Sequence, residues 1–318
     1  MLLILTNSKD ATADYLVPIL ESASIGFVRF NTDRFVDSAK LSYSIATPRI
    51  EIAERSFEPG DMRNLWYRRP QRLGSADLTG PEGTFATNEW SEAFEAFLSH
   101  IHFERWMNHP SANAIASPKL HQLTVADSLG FNVPDTLVTQ NPESALTFFE
   151  KHNKNVVIKP MSTGYVERSG HDDSLIYTNR VTIEEMDDAS DLGSCPTLFQ
   201  QYVDKQADIR ITVVDHQVHA VELHAADDSG AQRCDIRRNN MADVRYLPTT
   251  LPSDISQLIL RMMKHYRLRF AAIDMVVDRS GKWYFLEVNP NGQWAWLDLA
   301  GAATIWQSFV EAFSDVTR

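Results

Sequence analysis

FAAIDMVVDRSGKWYFLEVNPNGQWAWL, residues 270–297, decides the fold. Two apolar runs, 270–278 and 282–290, flank Arg279-Ser280-Gly281 and read as a β-hairpin. Asp274 sits among Ala, Ile, Met and Val, and on the second run Glu287, Asn289 and Asn291 come at every second position, broken by Pro290 and Gly292. Side chains alternate along a strand, so pairing around the turn would set Asp274 against Glu287, with Asn289 on the same face. Polar groups at the end of a buried strand are costly unless satisfied. Carboxylates held that close also raise each other's pKa values, a penalty that a bound divalent cation removes. Oxygen-only donors select a hard ion, and magnesium keeps several waters while taking its remaining oxygens from phosphates. Two surface acids and a turn asparagine would give the same letters, and these residues alone leave both readings open.

Composition narrows the field. The 318 residues suffice for two or three packed subdomains, and 43% hydrophobic with 23% charged residues is ordinary for a globular chain. A net charge of -12 points away from a nucleic-acid partner. Cys195 and Cys234 are too few for a disulfide framework or zinc cluster and fit a cytoplasmic setting. The opening MLLILTNSKD reads as a first strand and not a signal peptide, and no window approaches the roughly 20 apolar residues of a membrane span. Walker A, H-E-x-x-H, G-x-S-x-G and C-x-x-C motifs are absent.

Outward from the hairpin, strands are expected at 2–6, 25–31, 42–46 and 64–70, with a helix over 10–23 and a long one over 88–108. This βαβ opening predicts a parallel sheet. Helices are expected at 118–128 (stopped by Gly130), 141–153, 252–268 and 299–313, and strands after Pro134, at 155–160 and across 196–223. The Gly- and polar-rich stretch 161–180 reads as a mobile hairpin.

Lys159 ends the apolar strand VVIKP and Lys119 opens the helix of SPKLHQL, places where an ammonium can meet a phosphate oxygen or stand in solvent. In LFQQYVDKQADIRITVV (198–214) an apolar edge breaks into a polar turn whose backbone could meet an adenine edge. Asp204 or Lys205 could reach a ribose, and Asp208 and Arg210 alternate onto one face. The same pair could be a local strand-face ion pair of little worth.

Lysine, lysine, glycine-bearing loop, connector, D-x-R and D…E-x-N occur in that order, and from Lys119 to Asn291 the chain resembles the ATP-grasp ligases. WYRRP (66–70), YTNRV (177–181), ADIRITVV (207–214), CDIRR (234–238) and NPNGQWAWL (289–297) extend the resemblance to the microviridin-type graspetide synthetases over most of the chain; the family's usual D-W-R-R is D-I-R-R here, at Asp235–Arg238. The resemblance implies a mixed α/β (α+β) ATP-grasp fold. Its parts would be an N-terminal parallel-sheet pre-ATP-grasp domain (1–115), a central subdomain (116–195) and a C-terminal subdomain (196–318), with ATP between the latter two. Lys119 and Lys159 would hold the phosphates, residues 162–170 close over them, and Gln200, Gln201, Tyr202, Val203 and Asp204 meet the nucleoside. Asp274, Glu287 and Asn289 would hold two Mg2+ ions. Arg210 and Asp208 would serve catalysis, Arg210 at the γ-phosphate. Arg237, Arg238, Arg68 and Arg69 are the candidates for reading the peptide's acidic side chains, the last two alternatively structural. The implied activity is phosphorylation of Asp or Glu side chains of a ribosomal precursor peptide, then attack by Thr, Ser or Lys to give ω-ester or ω-amide links, in a homodimeric enzyme. The precursor's leader would dock as a helix near the strands 209–223, whose Ile211, Val213, Val218 and Val221 offer an apolar edge. The other readings are an ATP-grasp ligase adding a free amino acid and a nucleotide-binding scaffold without turnover.

Overall fold

A computed structural model describes residues 1–34, 39–52, 54–73, 79–162, 164–166, 174–187, 189–226, 230–238 and 241–314. The chain opens with a four-stranded parallel sheet, ordered Phe27–Asn31, Leu2–Thr6, Asn64–Tyr67, Trp106–Met107. Leu2–Thr6 is buried throughout, as a strand covered on both faces must be. Alternation splits it: Leu2 and Ile4 pack with Leu16, Leu20 and Phe309, and Leu3 and Leu5 pack with Phe94 and Phe97. The C-terminal helix Ile305–Ser314 thus folds back on the first strand. Asp10 caps the helix Ala11–Ser22 by accepting from the Thr12 N–H.

Two expectations shift here. The strand placed at 42–46 lies at Ala39–Ser42, followed by Arg49–Ile52 and Arg55–Phe57 in a small antiparallel sheet. The helix placed at 88–108 spans Gly80–Ser99. The apolar spacing continues past it, but Trp106 and Met107 are buried by joining the sheet edge, with the Trp106 indole donating to the Ile101 carbonyl (3.2 Å).

The central sheet is antiparallel, ordered Asn179–Arg180, Val156–Lys159, Thr197–Gln201, Thr136–Thr139. Its strand Thr197–Gln201 follows residue 195 in the chain and pairs with both Val156–Lys159 and Thr136–Thr139. Tyr165–Val166 pairs with Ser174–Leu175 in a short hairpin; residues 163 and 167–170 of the stretch expected to close over the phosphates lie outside the described residues.

The last sheet has five antiparallel strands: Arg245–Thr249, Gln217–His224, Lys205–Val214, Phe270–Asp278 and Trp283–Asn289. The helices Lys119–Leu129 and Ser253–Tyr266 share its core, with Leu123, Ala126, Ile259 and Met262 against Ile209, Ile211 and Phe285. Gly130, at φ 96°, ends the first of these as a left-handed cap. Ile211 and Val213 are fully buried in this core with Val218 packed against it, and Val221, on the opposite face, is fully buried with Phe309, so they offer no apolar edge to a leader.

Candidate nucleotide and metal site

The hairpin pairs in the register that brings the carboxylates together. Asp274 lies opposite Glu287, Ala272 opposite Asn289, and a bulge follows Asp274. On its other side Asp274 faces Arg210, so Arg210, Asp274 and Glu287 form a row across three strands. Arg210 Nη1 donates to both oxygens of Asp274 (2.8 and 3.0 Å), and Nη2 donates to the Gln293 carbonyl (2.8 Å). Its Nε is buried without a partner among the described residues.

Glu287 receives Lys119 at 3.3 Å. This contact is built by backbone pairing: the side-chain amide of Gln122 bonds both the N–H (3.0 Å) and the C=O (2.8 Å) of Val288, tying the helix to the edge strand. Lys119, one turn earlier, then overhangs Glu287 and also donates to the Pro160 carbonyl at 3.1 Å.

Both sheets enclose a cleft of about 550 Å³. Lys159 enters it from the central sheet, without an ion-pair partner within 4.0 Å among the described residues, and burial brings its pKa down to about 8, with Lys119 adding repulsion and Glu287 opposing. Asp208 and Asp274 enter from the other side. Burial raises the pKa of each, more than Lys205 offsets for Asp208 and more than Arg210 offsets for Asp274. A third of the Asp274 side chain is exposed, onto the cleft that it lines. For Glu287 burial is outweighed by Lys119 and Lys159, which hold its pKa below the usual value.

Gln200, Gln201, Tyr202 and Val203 line the same cleft beside Val157, Met275 and Leu286. The Gln200 amide is engaged by Thr136 (2.8 Å), and the N–H groups of Gln201 and Tyr202 are bonded to Asp135 and Asn155 carbonyls, which leaves the Val203 N–H as the connector's donor without a partner among the described residues. Asp204 points elsewhere: it pairs with Arg233 and Arg279 and is 60% exposed. The next residue, Lys205, is the one in the cleft, on Asp208 at 2.7 Å.

The arginines separate. Arg237 lines the cleft with its fork on Asp235 (2.9 and 2.6 Å). Burial would raise the Asp235 pKa, but that fork and the N–H groups of Thr178 and Arg237 bring it to about 2. Arg238 lies off the cleft, over the Tyr177 ring and donating to Asn179. Arg68 cannot read a peptide. It is 1% exposed, paired with Asp10 at 3.4 Å, and donates to the carbonyls of Asn291 (2.6 Å) and Gly292 (3.2 Å) and to Thr12 and Gln293. It clamps the loop after Asn289 onto the N-terminal domain. Its pKa falls to about 10 through burial, with Asp10 opposing. Arg69 is exposed and reaches the Asn291 carbonyl at 3.3 Å.

Asn289 is exposed and its Oδ1 accepts from the Asn291 N–H (3.0 Å). Among the described residues no group of three His, Cys, Asp or Glu side chains gathers as a metal site. Two carboxylates suit magnesium, which takes one or two from protein and the rest from phosphate and water. Lys159, without an ion-pair partner among the described residues, and Lys119 beside them fit a polyphosphate. Asp235 and Lys205 also line this cleft: Lys205 is the other residue offered for a ribose, and Asp235 opens the D-I-R-R stretch, of which the sequence reading singled out only the arginines.

An ATP-grasp enzyme is the class this geometry defines, and the comparisons agree: the RimK-like ATP-grasp domain signature matches residues 116–303, and the chain belongs to that family of ATP-dependent ligases. No curated protein matches it in sequence. Among solved structures it is similar to the RiPP-associated ATP-grasp ligase of Chryseobacterium gregarium in complex with ADP and a leader and core peptide (30% identity, 100% of this chain and 97% of that one, TM-score 0.87). It is also similar to the macrocyclase MdnC of Microcystis aeruginosa MRC bound with precursor peptide MdnA (27%, 100% of both chains, 0.84) and to the macrocyclase MdnB of the same organism (26%, 99% of both, 0.76). No helix among the described residues is long and apolar enough to cross a membrane.

Proposed function

We propose that the chain is a peptide macrocyclase that uses ATP to join acidic side chains of a precursor peptide to Thr, Ser or Lys side chains of the same peptide. The observation that carries this reading is Lys159, half-buried and without an ion-pair partner among the described residues, in a cleft whose other wall holds Glu287 and Asp274. Lys159 and Lys119 bind the phosphates, and Val203 presents its N–H to the adenine edge with Tyr202 beside it. Asp274, Glu287 and Asn289 would hold magnesium, two ions in the fullest form, which would neutralise charge gathering on the phosphates. Arg210 lines the cleft and is held in place by Asp274 and the Gln293 carbonyl, so it is positioned to meet the transferred phosphoryl group. Asp208, tied to Lys205, sets the charge beside it. Arg237 reads the substrate carboxylate by exchanging its grip on Asp235, since a guanidinium fork binds carboxylates in pairs. A carboxylate is a poor electrophile; phosphorylation makes its oxygen a leaving group, and a peptide hydroxyl or amine then attacks the carbonyl carbon and expels phosphate.

The leader segment would dock on the central unit's exposed apolar side chains, Leu175, Ile176 and Ile183, where an amphipathic helix has something to bury. The test is mass spectrometry of a Thr- and Glu-rich peptide, taken from a reading frame beside this one, after incubation with ATP and magnesium. Loss of one water per link is the expected result. A gain equal to one amino-acid residue would instead support the ligase that adds free amino acids, and ATP untouched in every condition would support the scaffold.

A further inference from the structure

A second cleft, of about 570 Å³, lies on the far side of the Asn289–Gln293 loop. Its walls are Asn7 and Lys9, which follow the first strand, Arg69 and Gln71, which follow Asn64–Tyr67, and Asn291 and Gln293 of the loop. Those two strands are neighbours in the parallel sheet. From the first, the chain goes to one side to form Phe27–Asn31 and returns on the other side to form Asn64–Tyr67. This is a topological switch point, where the connections leave in opposite directions and open a crevice at the carboxyl ends of the strands.

The charge of the crevice is one-sided. Asp10 is the carboxylate of its lining, and it is spent: it is 3% exposed and held by Arg68, by the Thr6 hydroxyl (2.7 Å) and by the Thr12 N–H (3.1 Å). Lys9 is exposed and makes no side-chain bond among the described residues, and Arg69 makes one long bond, at 3.3 Å, that leaves most of its fork open. Two available cations on a chain of net charge -12 select an anion. The volume admits several residues of an extended peptide and is far larger than a single ion needs. The Gln71 side chain, also without a bond among the described residues, offers an amide to a peptide backbone.

The loop that forms one wall connects the two clefts. Arg210, itself held by Asp274, donates to the Gln293 carbonyl from the nucleotide side, and Arg68 donates to the Asn291 and Gly292 carbonyls from the sheet side. Gly292 leaves no room between them, since a Cβ there would lie 2.3 Å from Ala272 and 3.1 Å from Arg210 Nη2. An anion bound at Lys9 and Arg69 is thus one loop's thickness from the reacting centre.

We propose that this switch-point cleft is a subsite for acidic side chains of the peptide substrate, gripped by Lys9 and Arg69 while another carboxylate of the same peptide enters the nucleotide cleft. The inference rests on the peptide-joining reading. Carboxylates and inorganic phosphate share the chemistry, so both are tested. The probe is a short fluorescein-labelled peptide of alternating Thr and Glu, titrated by anisotropy into the full chain saturated with ADP and magnesium. The double variant Lys9→Ala/Arg69→Ala should bind it about ten-fold more weakly, with ADP affinity unchanged. Lys40→Ala, a surface control elsewhere, should bind it as the wild type does, and a Thr-Gln probe should bind the wild type and the double variant equally weakly. Equal affinity of the double variant and wild type, or no binding by the wild type, overturns the subsite. Displacement of the probe by micromolar inorganic phosphate overturns it in favour of a small-anion site. Wild type that binds the probe and a natural substrate but never forms a link would sink the macrocyclase reading and leave the subsite standing.

Discussion

The nucleotide cleft has two walls, and they are unfinished in opposite ways. The central sheet presents Lys159, a dehydrated ammonium with its pKa drawn down to about 8. The five-stranded sheet presents Asp208 and Asp274, dehydrated carboxyls with pKa values pushed up. Across the gap neither wall neutralises the other fully, because Glu287 is shared between Lys119 and Lys159 while Asp274 is taken by Arg210. On the proposed function a polyphosphate would complete the first wall and a divalent cation the second, so each ligand would bind best where the other is already present. The contrast with Arg68 is instructive: there a buried guanidinium has its carboxylate and its carbonyls, and the pair is structure, not site.

The comparison breaks hardest at the carboxylate wall. Glu287→Gln keeps shape and removes the charge, so turnover should fall at least about a thousand-fold, roughly 4 kcal/mol of barrier, with the far-ultraviolet circular dichroism unchanged; full activity would remove Glu287 from the metal set. Arg68→Ala leaves Asp10 buried and unpaired, and denaturant unfolding should show a loss of about 3 kcal/mol or more. At the cation wall, Lys159→Met should weaken ATP about ten-fold or more by calorimetry. The same lysine sets a pH dependence. Its folded pKa lies below the unfolded 10.5, so without nucleotide the unfolded chain binds more protons between about pH 8 and 10.5, and stability rises with pH across that window. Phosphate favours the charged form, so nucleotide affinity should fall as pH rises above 8, and Lys159→Met should flatten that slope. The smallest effect is expected at Asp204→Ala, whose exposed pairs contribute less than about 1 kcal/mol and whose loss should leave ATP affinity alone.

Strand periodicity made the site's floor legible: Asp274 opposite Glu287 follows from alternation and a short turn, and the structure has that register. The helix start at Lys119 and the glycine stop at Gly130 were readable for the same local reason. Legibility ended where long-range pairing decides. Trp106 and Met107 continue a helical pattern and are claimed by a sheet edge. Arg68 and Arg69 are adjacent in sequence, yet alternation buries one in the domain junction and leaves the other at a cleft mouth. Asp204 and Lys205, offered together for a ribose, differ in the same way: Lys205 lines the cleft and Asp204 pairs with Arg233. Asp235 acquires its meaning from Arg237 and the Thr178 N–H, partners that only the folded chain assembles.

The central claim is that the cleft activates a peptide carboxylate by phosphorylation. A substrate peptide carrying 18O in its Glu or Asp side-chain carboxylates tests it, with the released inorganic phosphate read by mass spectrometry. If the carboxylate oxygen attacks the γ-phosphorus and leaves with the phosphate, one labelled oxygen should appear in phosphate for every link formed. Links formed while the phosphate stays unlabelled would contradict the account.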